Sequence, residues 1–212
     1  MDSQGRFAYF ADVGSWTQKP AIVVLDSKNR KSWRLLEKAS SVMAQDWVIR
    51  NPIKTMEFFG GLVGFKTGID GIALTHDDKW LYYGAMNHKY FFKIKTDVLN
   101  TENISNVASS VIKVAEKPMS DGFSIDKDGR VYITDIENGA VHVWEEKIGL
   151  STLVKSDKIK WADSLSFGPN RELYLADSQI PNLILQSKRH MKLSAPYFVY
   201  KLNAPGEGRA GQ

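Results

Sequence analysis

The stretch Ser120-Asp121-Gly122-Phe123-Ser124-Ile125, Asp126-Lys127-Asp128-Gly129-Arg130, Val131-Tyr132-Ile133-Thr134-Asp135, Glu137-Asn138-Gly139, Ala140-Val141-His142-Val143-Trp144 decides the fold. Asp128-Gly129 and Asn138-Gly139 tolerate positive φ, and each lies between alternating or β-branched runs, the strongest local signal for a hairpin. The unit therefore reads as strand, turn, strand, turn, strand.

Working outward, the same unit recurs, giving four copies along the chain. One copy runs Ile69-Asp70-Gly71-Ile72-Ala73-Leu74, Thr75 to Lys79, Trp80-Leu81-Tyr82-Tyr83-Gly84, then Tyr90-Phe91-Phe92-Lys93-Ile94. Another runs Ala162-Asp163-Ser164-Leu165-Ser166-Phe167, Gly168 to Glu172, Leu173-Tyr174-Leu175-Ala176-Asp177, with a last strand expected at 197–202 after a longer loop. The first copy starts at its turn, Asp2 to Arg6, and lacks the strand that should precede it. A meander of short strands cannot bury both faces alone, so neighbouring units must stack face to face, which is the physical content of a propeller blade. A β-sandwich is the structural alternative, but it gives no reason for the same Asp to open successive units. The expectation is an all-β fold, a β-propeller of about four blades of four-stranded antiparallel sheet in one domain spanning 1–212. Blade-like repeats fall at about 1–38, 66–100, 118–156 and 160–203, with an insertion at about 39–65 that is either a surface excursion or an extra hairpin. One helical turn is expected at Thr96-Asp97-Val98-Leu99, with Thr96 as its cap.

Composition agrees. Of 212 residues, 43% are hydrophobic and 11% aromatic, as short half-buried strands require. The formal charge of +4 is mild and gathers into no dense basic stripe, so no nucleic-acid partner is expected. The basic cluster Lys188-Arg189-His190 reads as a solvated loop. With no cysteine, disulfides, thiolate nucleophiles and Cys-ligated zinc are excluded. No apolar run approaches the roughly 20 residues needed to span a bilayer. Met1 is followed by Asp2-Ser3-Gln4-Gly5, so no signal peptide and no membrane partner are expected from this chain.

Asp70, Asp121 and Asp163 hold the same position in successive repeats. Innermost propeller strands line the channel, so these carboxylates would converge and could coordinate calcium or another divalent metal, or instead accept backbone N–H bonds in tight turns. A second set, Asp12, Asp135 and Asp177, follows the second strand of its repeat and reads as turn caps. Tyr9, Tyr82, Tyr132 and Tyr174 align and should pack between blades, while Trp80 and Trp161 are candidates to stack on a flat ligand at the propeller mouth. The histidines His76, His88, His142 and His190 share no metal-ligand spacing and read as surface or strand residues.

The sequence resembles the yellow and major royal jelly protein family. The resemblance is carried by Ala11-Asp12-Val13-Gly14, Ile22 to Asp26, Lys31-Ser32-Trp33-Arg34-Leu35, Gly68 to Leu74 with Trp80-Leu81-Tyr82-Tyr83, Trp161 to Leu165 and Leu173 to Ser178. It implies a six-bladed, usually secreted or periplasmic protein of which about two N-terminal blades are absent here, leaving an open arc whose edges invite self-association. More distantly the chain resembles gluconolactonase-type propellers. That likeness implies a divalent metal held by Asp121, with Asp70 where those enzymes have Asn; the glutamate they draw from a first blade has no counterpart here. The expected function is small-molecule binding at the central mouth. The alternatives are a metal-dependent lactone hydrolase, a dopachrome-conversion-like isomerase as in some insect relatives, and a protein-interaction scaffold.

Overall fold

A computed structural model describes residues 1–102 and 105–211. In chain order the strands and helices are β1 (Phe7–Asp12), β2 (Ala21–Asp26), β3 (Lys31–Leu35), β4 (Glu57–Phe58), β5 (Val63–Gly64), β6 (Ile69–Leu74), β7 (Trp80–Ala85), β8 (Tyr90–Lys95), α1 (Thr96–Leu99), β9 (Ile112–Glu116), β10 (Phe123–Ile125), β11 (Val131–Asp135), β12 (Ala140–Glu145), β13 (Gly149–Lys155), β14 (Ala162–Phe167), β15 (Glu172–Asp177), α2 (Lys188–Leu193) and β16 (Phe198–Asn203). They form antiparallel sheets β1-β2-β3, β6-β7-β8-β9, β10-β11-β12-β13 and β14-β15-β16, with a separate hairpin β4-β5. This is a β-propeller of the six-bladed type, here about four blades. The two middle sheets have the expected four strands and the outer two have three. Aligning the repeats places β1 with β7, β11 and β15, so the first blade begins at its second strand and the last ends at its third.

The inner strands β6, β10 and β14 are side by side, and apolar side chains from successive sheets interlock between them. Tyr82 packs on Trp144 of the next blade at 6.3 Å, and Tyr132 meets Phe167 edge-on at 5.2 Å. Tyr9, Tyr82 and Tyr132 are buried as the alignment predicts; Tyr174, on the fourth blade, is half-buried. Each fully buried large apolar side chain contributes about 1.5–3 kcal/mol relative to exposure, so this interlocking is what aligns the inner strands. On the outer sheets Phe10, Phe198 and Val199 remain exposed.

The insertion is not a loose excursion. It supplies the hairpin β4-β5 and buries Ile49 and Met56 against Met86, Met119, Ile136 and Trp161, a cluster at the end of the blades where the inner strands begin. Asn51 pins it down, donating from Nδ2 to Ile136 O (2.6 Å) and Lys160 O (2.7 Å) on two different blades. At the opposite end both terminal segments meet the first turn of the second blade. Ser3 N donates to Asp78 Oδ2 at 2.9 Å, and Arg209 donates to His76 O at 3.0 Å.

Three local expectations change. The outer strand of the second blade, β9, lies past the boundary placed at residue 100. Thr96 begins α1 but does not cap it; Lys95 holds the cap position, and Thr96 Oγ1 donates to Asp78 O at 2.7 Å. The basic cluster at 188–190 is not a loop but the start of α2, because Ser187 caps it by accepting from His190 N. No helix among the described residues is long and apolar enough to cross a membrane.

Candidate functional site

Asp70, Asp121 and Asp163 line one groove of about 200 Å3 together with Gly71, Ile72, Gly122, Phe123, Ser164 and Leu165. Two local features aim them there. The β6–β7 pairing slips between Ile69 and Gly71, and the β14–β15 pairing slips between Ala162 and Ser164, so Asp70 and Asp163 each occupy a bulge, a device that redirects a side chain. Asp121 stands just before β10, where its own N–H and that of Gly122 donate to Thr134 Oγ1, both at 3.0 Å. The residue after each Asp is small because adjacent inner strands nearly touch. A Cβ at Gly71 would lie 2.5 Å from Phe123 Cδ1, and one at Gly122 would lie 2.4 Å from Asp163 O.

Asp70 and Asp121 hydrogen-bond to each other through their carboxyl groups, which two carboxyls can do only by sharing a proton. Burial pushes Asp70 up to about 7, with Asp163 adding to the rise and the Asp121 hydrogen bond and Lys117 opposing it. Burial likewise raises Asp121 well above the usual carboxylate range, helped by Asp70 and Asp163; the Trp161 indole, donating from Nε1 to Asp121 Oδ2 at 2.6 Å, pulls the other way. Lys117 is buried beside this pair, its Nζ donating to Pro118 O (3.0 Å) and Met86 O (3.4 Å). Burial draws its ammonium down to about 7 against the pull of Asp70, Asp135 and Asp121.

The axial acids and the capping acids separate as two kinds of residue. Asp135 accepts from Glu137 N (3.1 Å) and Asn138 N (2.9 Å), Asp12 from Gly14 N (3.1 Å), and Asp177 from Lys160 N (3.0 Å) and Trp161 N (2.8 Å). Asp70 and Asp121 have no such backbone donors among the described residues. Burial raises Asp135, but hydrogen bonds from His142 (3.2 Å) and Asn138 outweigh it and hold the carboxyl low. His142 thus has an acid neighbour that its spacing did not reveal, and His88, read as a surface or strand residue, is buried between strands β7 and β8.

Of the tryptophans, Trp161 is fully buried, edge-on to Phe65 at 6.3 Å, and acts on the groove from behind by holding Asp121. Trp80 begins β7, at the far end of its blade from Asp70, with the Lys93 ammonium 5.0 Å from its ring. Lys117 was not singled out in the sequence. A lysine stands four residues before Asp70 (Lys66), four before Asp121 (Lys117) and three before Asp163 (Lys160), but nothing in that repetition says which one turns inward.

A divalent cation such as calcium needs several ionised oxygens directed at one point. Here Asp70 and Asp121 are bonded to each other, one Asp121 oxygen is taken by Trp161, and an ammonium lies alongside. Among the described residues no group of three His, Cys, Asp or Glu side chains is arranged to hold a metal ion. As they stand, these side chains do not make a metal site.

Stacked antiparallel sheets whose inner strands carry equivalent acids at one level define a β-propeller with an acidic axial groove. The sequence pattern of the family described as major royal jelly protein matches residues 1–198, and the chain belongs to that family. Among solved structures, it is similar to a chain of a nidogen/laminin complex, with a TM-score of 0.55 at 13% identity over 82% of this chain and 53% of that one. It is also similar to a gluconolactonase candidate from a structural genomics consortium, with a TM-score of 0.52 at 12% identity over 84% and 54%. A third is the calcium-binding protein regucalcin from Agrobacterium tumefaciens strain C58, with a TM-score of 0.50 at 11% identity over 92% and 60%. These likenesses are of fold, and the chain spans 53–60% of the length of these three structures. No curated protein matches the sequence.

Proposed function

We propose that the protein binds a small molecule along its inner strands, with the Asp163 carboxyl receiving a cationic or donor-rich head beside the hydrogen-bonded Asp70 and Asp121 pair. The observation that carries this reading is the continuity of the groove. Ile72, Phe123 and Leu165, which border the acids, also border a second cavity of about 220 Å3 lined by Ala73, Leu74, Leu81 and Ile125. Polar groups converging at one end of an apolar wall are the usual design of a small-ligand site, the wall supplying burial and the acids orientation. The family's usual secretion makes an extracytoplasmic location the expected one for the full-length protein.

The test is isothermal titration against a panel of primary amines with apolar bodies, polyols and sugar lactones. Amines with an apolar body should bind, and Asp163→Asn should weaken them at least about tenfold, the loss expected for one charge-assisted hydrogen bond. Equal affinity in wild type and Asp163→Asn would refute the reading. Steady turnover of a sugar lactone would replace it with a hydrolase.

A further inference from the structure

We propose that the Lys117 ammonium is the resident counter-cation of the axial carboxyls, in the role that the gluconolactonase likeness assigns to a divalent metal, and that Lys117 thereby makes this site metal-independent.

The backbone has been cleared to let this side chain in. Gly71 and Gly84 are register partners on β6 and β7. Neither has a positive φ, so conformational freedom does not explain them, and glycine inside a strand is a cost in itself. Space explains them. A Cβ on Gly84 would lie 2.8 Å from Lys117 Cε and 3.0 Å from Phe123 Cζ, and one on Gly71 would meet Phe123 and Asp121 O. The lysine stem fills the space at Gly84, and Phe123 fills the space at Gly71.

Lys117 is held there at its charged end. Its Nζ donates to two carbonyls, Pro118 O and Met86 O, while carboxyls from three elements act on it electrostatically: Asp70 on β6, Asp121 before β10 and Asp135 on β11. The basic groups nearby do not compete. Burial and the charge of Lys117 itself push His88 down to about 4, so it is neutral at pH 7. The lysines in related positions of the other blades turn away, Lys66 pairing with Asp46 and Lys160 donating to Asp157 O. Among the described residues at these three positions, the lysine that turns inside is the one at the junction holding the hydrogen-bonded carboxyl pair. A buried charge is retained when it is paired, so the ammonium and the carboxyls justify each other, and a divalent ion at the Asp70–Asp121 pair would meet that ammonium directly.

The inference concerns how the cluster is neutralised and stands whether or not an organic ligand binds, so it is tested with metals alone. Thermal unfolding of the whole chain is followed at about pH 6, below the Lys117 value of about 7, with calcium or manganese chloride. The wild type should show no rise in Tm, and Lys117→Arg should behave like it. Lys117→Met keeps the stem and removes the charge; it should gain a rise of roughly 3–6 °C at a cation concentration about tenfold above Kd, and adding Asp121→Asn should abolish the gain. A wild-type rise that Asp121→Asn removes would overturn the proposal without any Lys117 variant. So would a folded Lys117→Met protein indifferent to both cations. If Lys117→Met does not fold, the wild-type titration still decides.

Discussion

At the scale of single residues, the groove is held from behind by a buried side chain. Trp161 contributes one hydrogen bond to Asp121 from a position sealed by Phe65. Trp161→Phe preserves most of the packing and deletes the donor, leaving a buried carboxyl with an unmet acceptor. A loss of about 1–3 kcal/mol in urea unfolding is expected, with no change in m-value. The Asp70 carboxyl leads to a pH dependence of definite sign. Its folded value, about 7, lies above the ordinary 3.8, so between those values the native state holds a proton that the unfolded chain has released. Stability from this group therefore falls as pH rises from about 4 to about 7. Asp70→Asn should remove that decline, so the wild-type and mutant stability curves should draw apart across this window. Parallel curves would show that Asp70 is not perturbed.

At the scale of elements, the insertion carries the clearest prediction. Asn51 bridges carbonyls of two blades, so Asn51→Ala frees the segment and leaves both carbonyls unpaired. Hydrogen exchange across residues 45–65 should accelerate by roughly tenfold to a hundredfold, while exchange in β11 and β12 stays unchanged. The strands and hairpins were legible in the sequence because period-two alternation and Asn-Gly or Asp-Gly turns are local properties. The equivalence of Asp70, Asp121 and Asp163 was legible because it is a repeat. What the sequence did not show is what depends on direction. The inward turn of Lys117 depends on the missing side chain of Gly84, more than thirty residues upstream. The insertion's role rests on Ile49 and Met56 meeting residues of other blades. The helix at 188–193 depends on a single serine cap beside residues whose charge suggested solvent.

At the scale of the whole molecule, the four sheets act as a frame that brings one residue from each of three blades to a common groove. Both ends of the frame are tied, one by the insertion and the other by the terminal segments at Asp78 and His76. Convergence of the acids is a property of the arc as a whole: no single blade could produce a carboxyl pair that shares a proton. It is tested most directly by a carbon-13 NMR titration of the aspartate carboxyls in the intact chain. The account predicts an Asp70 carboxyl titrating near 7, far above the ordinary range, and returning toward that range in Asp121→Asn. If every aspartate carboxyl titrates in the ordinary range, Asp70 and Asp121 do not meet, and the site described here does not exist.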